Sequence, residues 1–387
     1  MHDYKTLLRR AGAVLFWLAV WQAAAMAIGQ EVFLVSPVQA LRCLLRLLPQ
    51  ADFWHRVGFS AGRILLGFGL GVVCSAALAV AAEICPAAEV LIAPVLQLVK
   101  ATPVASFIIL ALVWVRGSSL SVLISFLMVL PVLYGAVRTG IRAADPQLLE
   151  MAKVFRLPLG RRLRAVWLPA VLPAFRQGCS VALGICWKSG VAAEVIGVPD
   201  HSIGEKLYMA KIYLATPDVF AWTIVIILVS ALFEKFFLQL IIWMKKKNEQ
   251  YQPENGLQRA SALQNEDSGE ENALSSGSKS SPSAPASVSG LCKSYGELSV
   301  FSQLELSFDP GGVYCLMAPS GAGKTTLLRI LLGLETPDGG QVQMPSPVTA
   351  VFQENRLCEA FSPLDNVLLA AGKAIDRQTA YSELCRL

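Results

Sequence analysis

The residues with the clearest chemistry form a glycine-rich loop between residues 318 and 326. The loop reads Ala318-Pro319-Ser320-Gly321-Ala322-Gly323-Lys324-Thr325-Thr326. Glycines in such a loop allow successive backbone N–H groups and the positive end of the following helix to face a polyphosphate. Lys324 would reach the terminal phosphates, and Thr325 would offer its hydroxyl to Mg²⁺. A chance glycine-rich turn is the simpler alternative, and Ala318 stands where the GxxxxGK[ST] pattern usually has its first glycine.

The elements around this loop favour phosphate binding over a chance turn. Leu304, Leu306 and Phe308 alternate as in a half-buried strand, and a turn is predicted over 309–312. The run 313–317 predicts a short buried strand. An apolar helix over about 324–332 follows the loop, and Gly333 and Pro337 end it. Strand, loop and helix therefore come in the order that the pattern requires.

Composition divides the 387-residue chain into two parts of different character. Overall, 54% of the residues are hydrophobic and 16% are charged, well below the roughly 25% charged residues of soluble domains. Residues 1–250 hold 24 Lys or Arg and 13 Asp or Glu, whereas residues 251–387 hold 9 and 15. An ordinary soluble enzyme is therefore excluded for the first part. Nine scattered cysteines without a CxxC pair indicate neither a metal site nor a disulfide framework.

Six segments of the first part predict transmembrane helices. Three carry no charge and have about the 20 residues that a bilayer core requires, and three weaker ones contain charges. They cover residues 11–30, 64–82, about 90–115, 117–137, about 171–196 and about 219–243.

The distribution of Lys and Arg predicts that both termini lie in the cytoplasm. Basic residues accumulate before the first segment, between the fourth and the fifth, and after the sixth, at 245–247. Arg42, Arg46 and Arg56 of the first external loop do not follow this rule. Residues 248–286 are rich in serine and acidic residues and predict a disordered linker.

The residues after the linker resemble the beginning of an ABC-transporter ATPase domain. Besides the phosphate loop, the turn 333–342 is similar, and Val351-Phe352-Gln353-Glu354 resembles the Q-loop. The resemblance implies ATP and Mg²⁺ as cofactors. It implies that Gln353 touches Mg²⁺ and the attacking water and that Thr325 contributes to the metal site. It also implies that Tyr295 stacks on adenine.

Hydrolysis needs more residues than these. Residues 354–387 contain no LSGGQ-type signature, acidic pair or switch histidine of that family. Phosphoryl transfer depends on positioned charge and on a residue that orients water. We expect this sequence to bind ATP weakly and not to hydrolyse it alone, so a complete ATPase subunit or a missing C-terminal ATPase portion would be a partner.

Residues 145–169 resemble the EAA loop of ABC importer permeases. The pattern E-A-A-x-x-x-G, followed by I-x-L-P, is matched by Glu150, Ala152, Leu168 and Pro169. Met151 replaces an alanine, and Arg156 replaces the glycine. The resemblance implies a short helix that docks beside the Q-loop and transmits ATP-driven closure to the membrane helices.

Basic residues in this loop have two compatible explanations. An arginine-rich helix would suit an acidic face containing Glu354 and Glu359, or the arginines would set topology and bind anionic lipid. They are Arg156, Arg161, Arg162 and Arg164.

Two charges in the fifth predicted span also allow two interpretations. Lys188 and Glu194 would line the translocation path, or they would snorkel to the membrane interface, which we favour.

Further residues in the membrane part resemble the sulfonate, taurine, nitrate and pyrimidine-precursor permeases. These are Ser36, Pro37, His55, Ser60, Arg63, Gly67, Phe68 and 192–197.

Together these features predict a multi-domain chain. An all-α permease of six transmembrane helices (1–247) precedes the linker (248–286) and the N-terminal part of an α/β P-loop NTPase domain (287–387). The expected function is the membrane-spanning subunit of an ATP-driven importer of a small anion or pyrimidine-like solute, located in a bacterial inner membrane. Expected partners are a second copy of the chain, an extracytoplasmic solute-binding protein and membrane lipid, but not nucleic acid. Alternatives are a nucleotide-binding membrane scaffold and a degenerate, inactive fragment.

Overall fold

A computed structural model describes residues 2–249, 286–346, 348–359, 361–372 and 375–386. The chain forms two compact units, one of Met1–Arg142 with Val171–Met244 and one of Ala143–Ala170 with Lys245–Leu387. The predicted linker lies almost wholly outside the described residues, so its disorder remains a prediction.

Residues 2–249 are helical throughout their length, with short connections. In chain order the elements are α1 (His2–Ile28), α2 (Pro37–Leu47), α3 (Ala51–Ile84), α4 (Pro86–Ala101), α5 (Val104–Leu112), α6 (Gly117–Arg142), α7 (Pro146–Val154), α8 (Leu159–Arg162), a π-helical turn (Leu163–Trp167), α9 (Leu168–Gly197), α10 (Ile203–Ile212) and α11 (Thr216–Glu249).

Within the described residues, four helices are long and apolar enough to cross a membrane, or five if α4 and α5 form one broken span. α4 and α5 meet at 103°, because Thr102 precedes Pro103 and such a residue is driven out of helical conformation. The predicted first span forms α1, but its apolar part, Gly12–Ile28, is shorter than the others. The six-helix count is therefore not confirmed. The four helices are Ala51–Ile84, Gly117–Arg142, Leu159–Gly197 and Thr216–Trp243.

The core of the first unit depends on small residues where α3 and α6 cross. A Cβ atom on Gly67 would lie 2.4 Å from the carbonyl oxygen of Val122, and one on Gly71 would lie 2.6 Å from Val129 Cγ1. Glycine at these positions lets the two backbones approach closely, as is common between membrane helices. A cluster of large buried side chains surrounds this crossing, including Ile64, Phe68, Leu133 and Trp187.

The second unit contains a small antiparallel sheet in the order β2-β1-β3. Its further elements are β1 (Ala286–Tyr295), β2 (Leu298–Phe308), α12 (Lys324–Leu331), β3 (Gly339–Gln343), α13 (Pro363–Ala371) and α14 (Arg377–Cys385). The expected alternation of Leu304, Leu306 and Phe308 is confirmed in β2. The helix after the loop is confirmed as α12, where Gly333 adopts φ +67° and Leu334 N donates to Arg329 O as the chain leaves the helix.

The predicted buried strand over 313–317 is wrong. These residues form no strand, and the side chains of Val313 and Met317 are almost fully exposed. A strand that is buried on both faces needs neighbouring strands in a parallel sheet. None of the described strands pairs with this segment. The apolar run therefore indicates that this segment tends to be buried, but no described strand lies beside it and buries it.

Candidate functional site

The phosphate loop has the backbone geometry that its glycines predict. Gly321 and Gly323 both have φ +84°, a region that favours glycine. A Cβ atom on Gly323 would lie 2.5 Å from Val300 Cγ1 and 2.8 Å from Phe301 Cζ, so the start of β2 packs directly on the loop. Ala318, the departure from the usual pattern, does not have a positive φ. A methyl group is therefore compatible with the backbone at that position.

The side chain of Lys324 folds back over this loop. Its Nζ atom donates to the carbonyl oxygens of Ala318 and Pro319, at 2.6 Å each. The side chains of Ser320 and Thr325 are exposed, and the first N–H groups of α12 have no partner within their helix. An ammonium group and the N–H groups of a helix N-terminus are the hydrogen-bond donors that a nucleotide polyphosphate requires. A hydroxyl oxygen is a suitable ligand for its Mg²⁺. The residues present therefore fit ATP and Mg²⁺.

Tyr295 and Gln353 are the other two residues predicted to contact the nucleotide, and in the described part of the chain neither side chain bonds to the loop. Tyr295 is half exposed at the end of β1, and its hydroxyl donates to Glu335 Oε1. Gln353 is exposed in a segment without regular structure. Among the described residues, no hydrogen bond joins either side chain to residues 318–326. Their roles in nucleotide binding remain predictions.

The segment that resembles the EAA loop forms α7 and packs by its apolar face. Asp145 begins the helix by accepting a hydrogen bond from Gln147 N at 2.8 Å, and Pro146 takes the first helical position, which it suits. Met151 and Ala152 are buried in a cluster that also contains Cys358. Further members of the cluster are Leu157, Ala165, Val166 and Leu369.

The polar face of α7 presents Glu150 between two arginines. Glu150 Oε1 accepts from Arg329 Nη2 at 2.5 Å, and its Oε2 accepts from Arg356 Nη1 at 3.1 Å. Arg329 belongs to the helix that follows the phosphate loop, and Arg356 lies three residues after Gln353. Arg329, and then Arg356, hold the pKa of Glu150 below its ordinary value. One carboxylate thus joins the helix after the glycine-rich loop to the segment after Gln353.

These contacts are of a kind that the sequence did not predict. The sequence predicted an acidic face containing Glu354 and Glu359 for the arginines that follow α7, and that pairing stays a prediction. In the structure, an acidic residue of α7 binds basic residues after the phosphate loop and after Gln353, and Glu354 Oε2 lies 3.7 Å from Arg356 Nη2. Sequence reasoning missed both arginines. The available signal was that they are the two arginines between residues 287 and 376.

Arg356 is held in place by more than its charge. Its guanidinium carbon lies 3.7 Å from the centroid of the Phe352 ring, close enough for a cation–π contact. Phe352 in turn packs against the buried cluster under α7. The residue next to Gln353 therefore orients the cation that Glu150 binds.

Arg156 ends α7 in the conformation that glycine usually provides. Its φ is +49°, and Leu157 N donates to Ala152 O at 2.9 Å, as in a left-handed helix cap. Arg156 Nη1 donates to Ser346 Oγ at 2.7 Å. This geometry gives a physical reason for the glycine of the EAA pattern. Of the other matched residues, Pro169 is partly buried and Leu168 is exposed.

Glu194, in the helices of the first unit, is fully buried, so interface snorkelling is wrong for this residue. Its Oε2 accepts from Ser60 Oγ at 2.6 Å and from Gly204 N at 3.4 Å. Ile203 N donates to Ser60 Oγ at 2.9 Å, so the two side chains cap the N-terminus of α10. Lys188, by contrast, is exposed.

Each of the two parts of the chain is similar to a known protein family. Residues 71–242 match the family described as binding-protein-dependent transport system inner membrane component, and residues 301–383 match the family described as ABC transporter.

Relatives of the membrane part include the putative aliphatic sulfonates transport permease protein SsuC of Bacillus subtilis. It is 28% identical over 222 residues, which is 57% of this chain and 80% of that protein. The taurine transport system permease protein TauC of Escherichia coli is 26% identical over 220 residues, 55% of this chain and 80% of that protein.

Relatives of the second part are ATP-binding proteins. The aliphatic sulfonates import ATP-binding protein SsuB 3 of Rhodococcus jostii is 47% identical over 88 residues, 23% of this chain and 33% of that protein. The chain thus spans about a third of the length of this relative. The helical part of the chain thus matches a family of transport permeases, and its C-terminal part matches a family of ABC ATPases. The permease match and the long apolar helices together indicate an integral inner-membrane protein.

Proposed function

We propose that this chain is the membrane-spanning subunit of an ATP-driven importer and that α7 couples its nucleotide site to its membrane helices. The observation that carries the proposal is the double contact of Glu150 with Arg329 and Arg356. A carboxylate that is bound by two separate elements responds to any change in their separation. α7 is therefore suited to follow movements of the nucleotide-binding segments.

In this proposal, residues 320–326 hold the phosphates of ATP. Lys324 leaves the carbonyl oxygens of Ala318 and Pro319 for the phosphate oxygens, and Thr325 faces Mg²⁺ with Gln353. Tyr295 offers its ring to the adenine base. Bound ATP supplies the free energy of phosphoryl transfer, which needs in-line geometry and a positioned water. We propose that ATPase residues outside the matched third of the relatives complete that chemistry.

The remaining partners and the solute follow from the relatives. Two relatives are named for the transport of aliphatic sulfonates and of taurine, which supports a small organic anion of the sulfonate class as the solute. The inner-membrane family is described as dependent on a binding protein, which supports an external solute-binding protein as the donor. We further propose a homodimer around one path, with both termini in the cytoplasm.

Sulfonate uptake tests this function in bacterial cells that lack their own uptake system. The cells would produce the full chain together with the proteins encoded beside it. We expect Glu150→Gln to lower uptake of a labelled alkyl sulfonate roughly fivefold, because partly exposed ion pairs of this kind contribute up to about 1 kcal/mol. The purified variant should still bind nucleotide, although more weakly, since Glu150 lies outside the phosphate loop.

A matched control is Glu383→Gln. This exposed glutamate pairs with Arg386 of the same segment, 3.1 Å away, and should leave uptake unchanged. Normal uptake by the Glu150→Gln chain would overturn the coupling role. Nucleotide binding without uptake by the unaltered chain would favour a nucleotide-binding scaffold over an importer.

A further inference from the structure

A line of alternating charges runs through the second unit, from β1 to the residues after Gln353. Successive members lie between 2.5 and 3.7 Å from one another. The line contains three cations and three anions, so each internal charge faces opposite charges on both sides. Its members are, in spatial order, Lys293, Glu335, Arg329, Glu150, Arg356 and Glu354.

Glu335 is where this line meets Tyr295. Its Oε1 accepts from the Tyr295 hydroxyl and lies 3.4 Å from Lys293 Nζ. Its Oε2 lies 3.5 Å from Arg329 Nε. The hydrogen bond from Tyr295, followed by the neighbouring cations, lowers the pKa of Glu335. One carboxylate is therefore divided between a hydroxyl that faces the proposed base site and the guanidinium that faces Glu150.

The backbone gives Glu335 little freedom to leave this position. After Gly333 the chain turns back on α12, and the backbone N–H groups of Leu334 and Glu335 both donate to Arg329 O, at 2.9 and 3.3 Å. Three residues later, Asp338 N donates to Cys292 O of β1 at 2.9 Å. The turn is therefore fastened to both α12 and β1, with Glu335 between them.

Arg329 is shared between Glu335 and Glu150 through different nitrogens. Nε faces Glu335, and Nη2 donates to Glu150. Because a guanidinium is planar and its donors are fixed relative to one another, turning it toward one carboxylate moves it relative to the other. If the Tyr295 hydroxyl left Glu335 Oε1, the carboxylate would lose a donor and would attract both of its neighbouring cations, Lys293 and Arg329, more strongly. The contact between Arg329 and Glu150 would then weaken.

We propose that Glu335 is a positioning residue through which the hydroxyl of Tyr295 controls how firmly Arg329 holds Glu150. The proposal rests on the proposed function, because it requires a nucleotide base at Tyr295. A base stacked on the Tyr295 ring fixes its hydroxyl on Glu335 and leaves Arg329 available to α7. The nucleotide base, as well as the phosphates, thereby controls how firmly α7 is held.

Tyr295→Phe tests the relay because it keeps the ring and removes the hydroxyl. Dissociation constants for ATP and for tripolyphosphate, which has no base, would be measured on the full chain in nanodiscs. In a chain that keeps Tyr295, we expect Glu150→Gln to weaken ATP binding about fivefold or more, a typical coupling between sites. Binding of tripolyphosphate should not change. In the Tyr295→Phe chain, the same substitution should change ATP binding less than about twofold.

Tyr314→Phe is the matched control. Tyr314 is similarly exposed, and its hydroxyl accepts from Asp309 N at 2.7 Å, away from the line of charges. The dependence on Glu150 should remain complete in this variant. Glu335→Gln should make the effect of Glu150→Gln equal for ATP and tripolyphosphate, because it removes the charge through which the hydroxyl acts on Arg329. Thermal unfolding would show that each variant is folded.

Two results would overturn the relay. One is full dependence of ATP binding on Glu150 in the Tyr295→Phe chain, and the other is equal dependence for tripolyphosphate, which would place the coupling in α12 itself. If the unaltered chain bound neither ATP nor tripolyphosphate, the proposed function would fail first and the relay with it. That result is distinguishable because it does not involve any substitution.

Discussion

Two glutamates, one in each unit of the chain, show opposite ways to stabilise a carboxylate. Glu194 of α9 is fully buried and accepts hydrogen bonds from a hydroxyl and from a backbone N–H at the start of α10. Glu150 of α7 is partly exposed and accepts from two arginines on different segments. No ion pair involves Glu194 among the described residues.

The difference concerns how easily each set of contacts can be exchanged. A helix N-terminus carries about half a positive charge and cannot move away from its own helix. Glu194 and Ser60 therefore fasten α3, α9 and α10 together permanently. Arginine side chains are long, and ion pairs near a surface contribute little net free energy. Glu150 therefore forms contacts that can break and re-form, as the proposed coupling requires, whereas the contacts of Glu194 preserve the fold.

The largest expected effect concerns the contacts between Glu194 and the start of α10, which preserve the fold. A Cβ atom on Gly204 would lie 2.3 Å from Glu194 Cβ and 2.4 Å from the carbonyl carbon of that residue. Gly204→Ala would have to push α10 away from α9, so we expect the free energy of unfolding in detergent to fall by about 3 kcal/mol. Thermal unfolding of the purified chain measures this loss.

Gly184→Ala provides the control for that experiment. Gly184 also lies in α9, and a Cβ atom there would meet nothing within 4 Å. This variant should be as stable as the unaltered chain or slightly more stable, because alanine favours helix. Equal stability of the two variants would show that α10 is not fastened at Gly204.

Local patterns in the sequence predicted the phosphate loop and α12, because each depends on residues close together along the chain. The resemblance to the EAA loop implied the short helix α7. The partners of Glu150 could not be predicted in the same way. They lie 179 and 206 residues away in sequence, and no local spacing records that proximity. Glu194 was misjudged for a related reason. Its donors come from α3 and α10, and a charge within an apolar run carries no sign of them.

The incorrect strand over 313–317 shows a different limit. An apolar run indicates that a segment prefers to be buried, but burial also needs neighbours. β1, β2 and β3 pair with one another and leave Val313 and Met317 exposed. The count of six spans is not confirmed at a similar point, where Pro103 divides one apolar run into two short helices. The apolar runs predicted where strands and helices could form, and the neighbouring elements decided which of them did form.

Acid should weaken the ion pairs that Glu150 forms with Arg329 and Arg356. Because Arg329 depresses the folded-state pKa of Glu150, the ion pairs stabilise α7 fully above the unfolded-state pKa. Their contribution is lost as the pH falls through the folded-state value. We expect a loss of about 1 kcal/mol in the protection of residues 146–154. Hydrogen exchange, corrected for the intrinsic effect of pH, measures that protection.

Glu150→Gln serves as the control for the acid experiment, since an amide does not titrate. In that variant, protection of α7 should be lower at neutral pH and should no longer depend on acid in this range. Protection that fell equally with pH in both chains would contradict the assignment of the effect to Glu150.

The smallest expected effect concerns Arg156, at the end of the same exchangeable helix. Its φ of +49° is unfavourable for a side chain with a Cβ atom, and its hydrogen bond to Ser346 offsets part of that strain. Arg156→Gly loses the hydrogen bond but relieves the strain, whereas Arg156→Ala loses the hydrogen bond and keeps the strain. We therefore expect the glycine variant to protect residues 146–154 from hydrogen exchange better than the alanine variant, by about 0.5 kcal/mol. Equal protection would mean that Arg156 does not hold a left-handed conformation. Better protection in the unaltered chain than in either variant would show that the contact with Ser346 outweighs the strain, and that the arginine secures α7 more firmly than the glycine of the EAA pattern would.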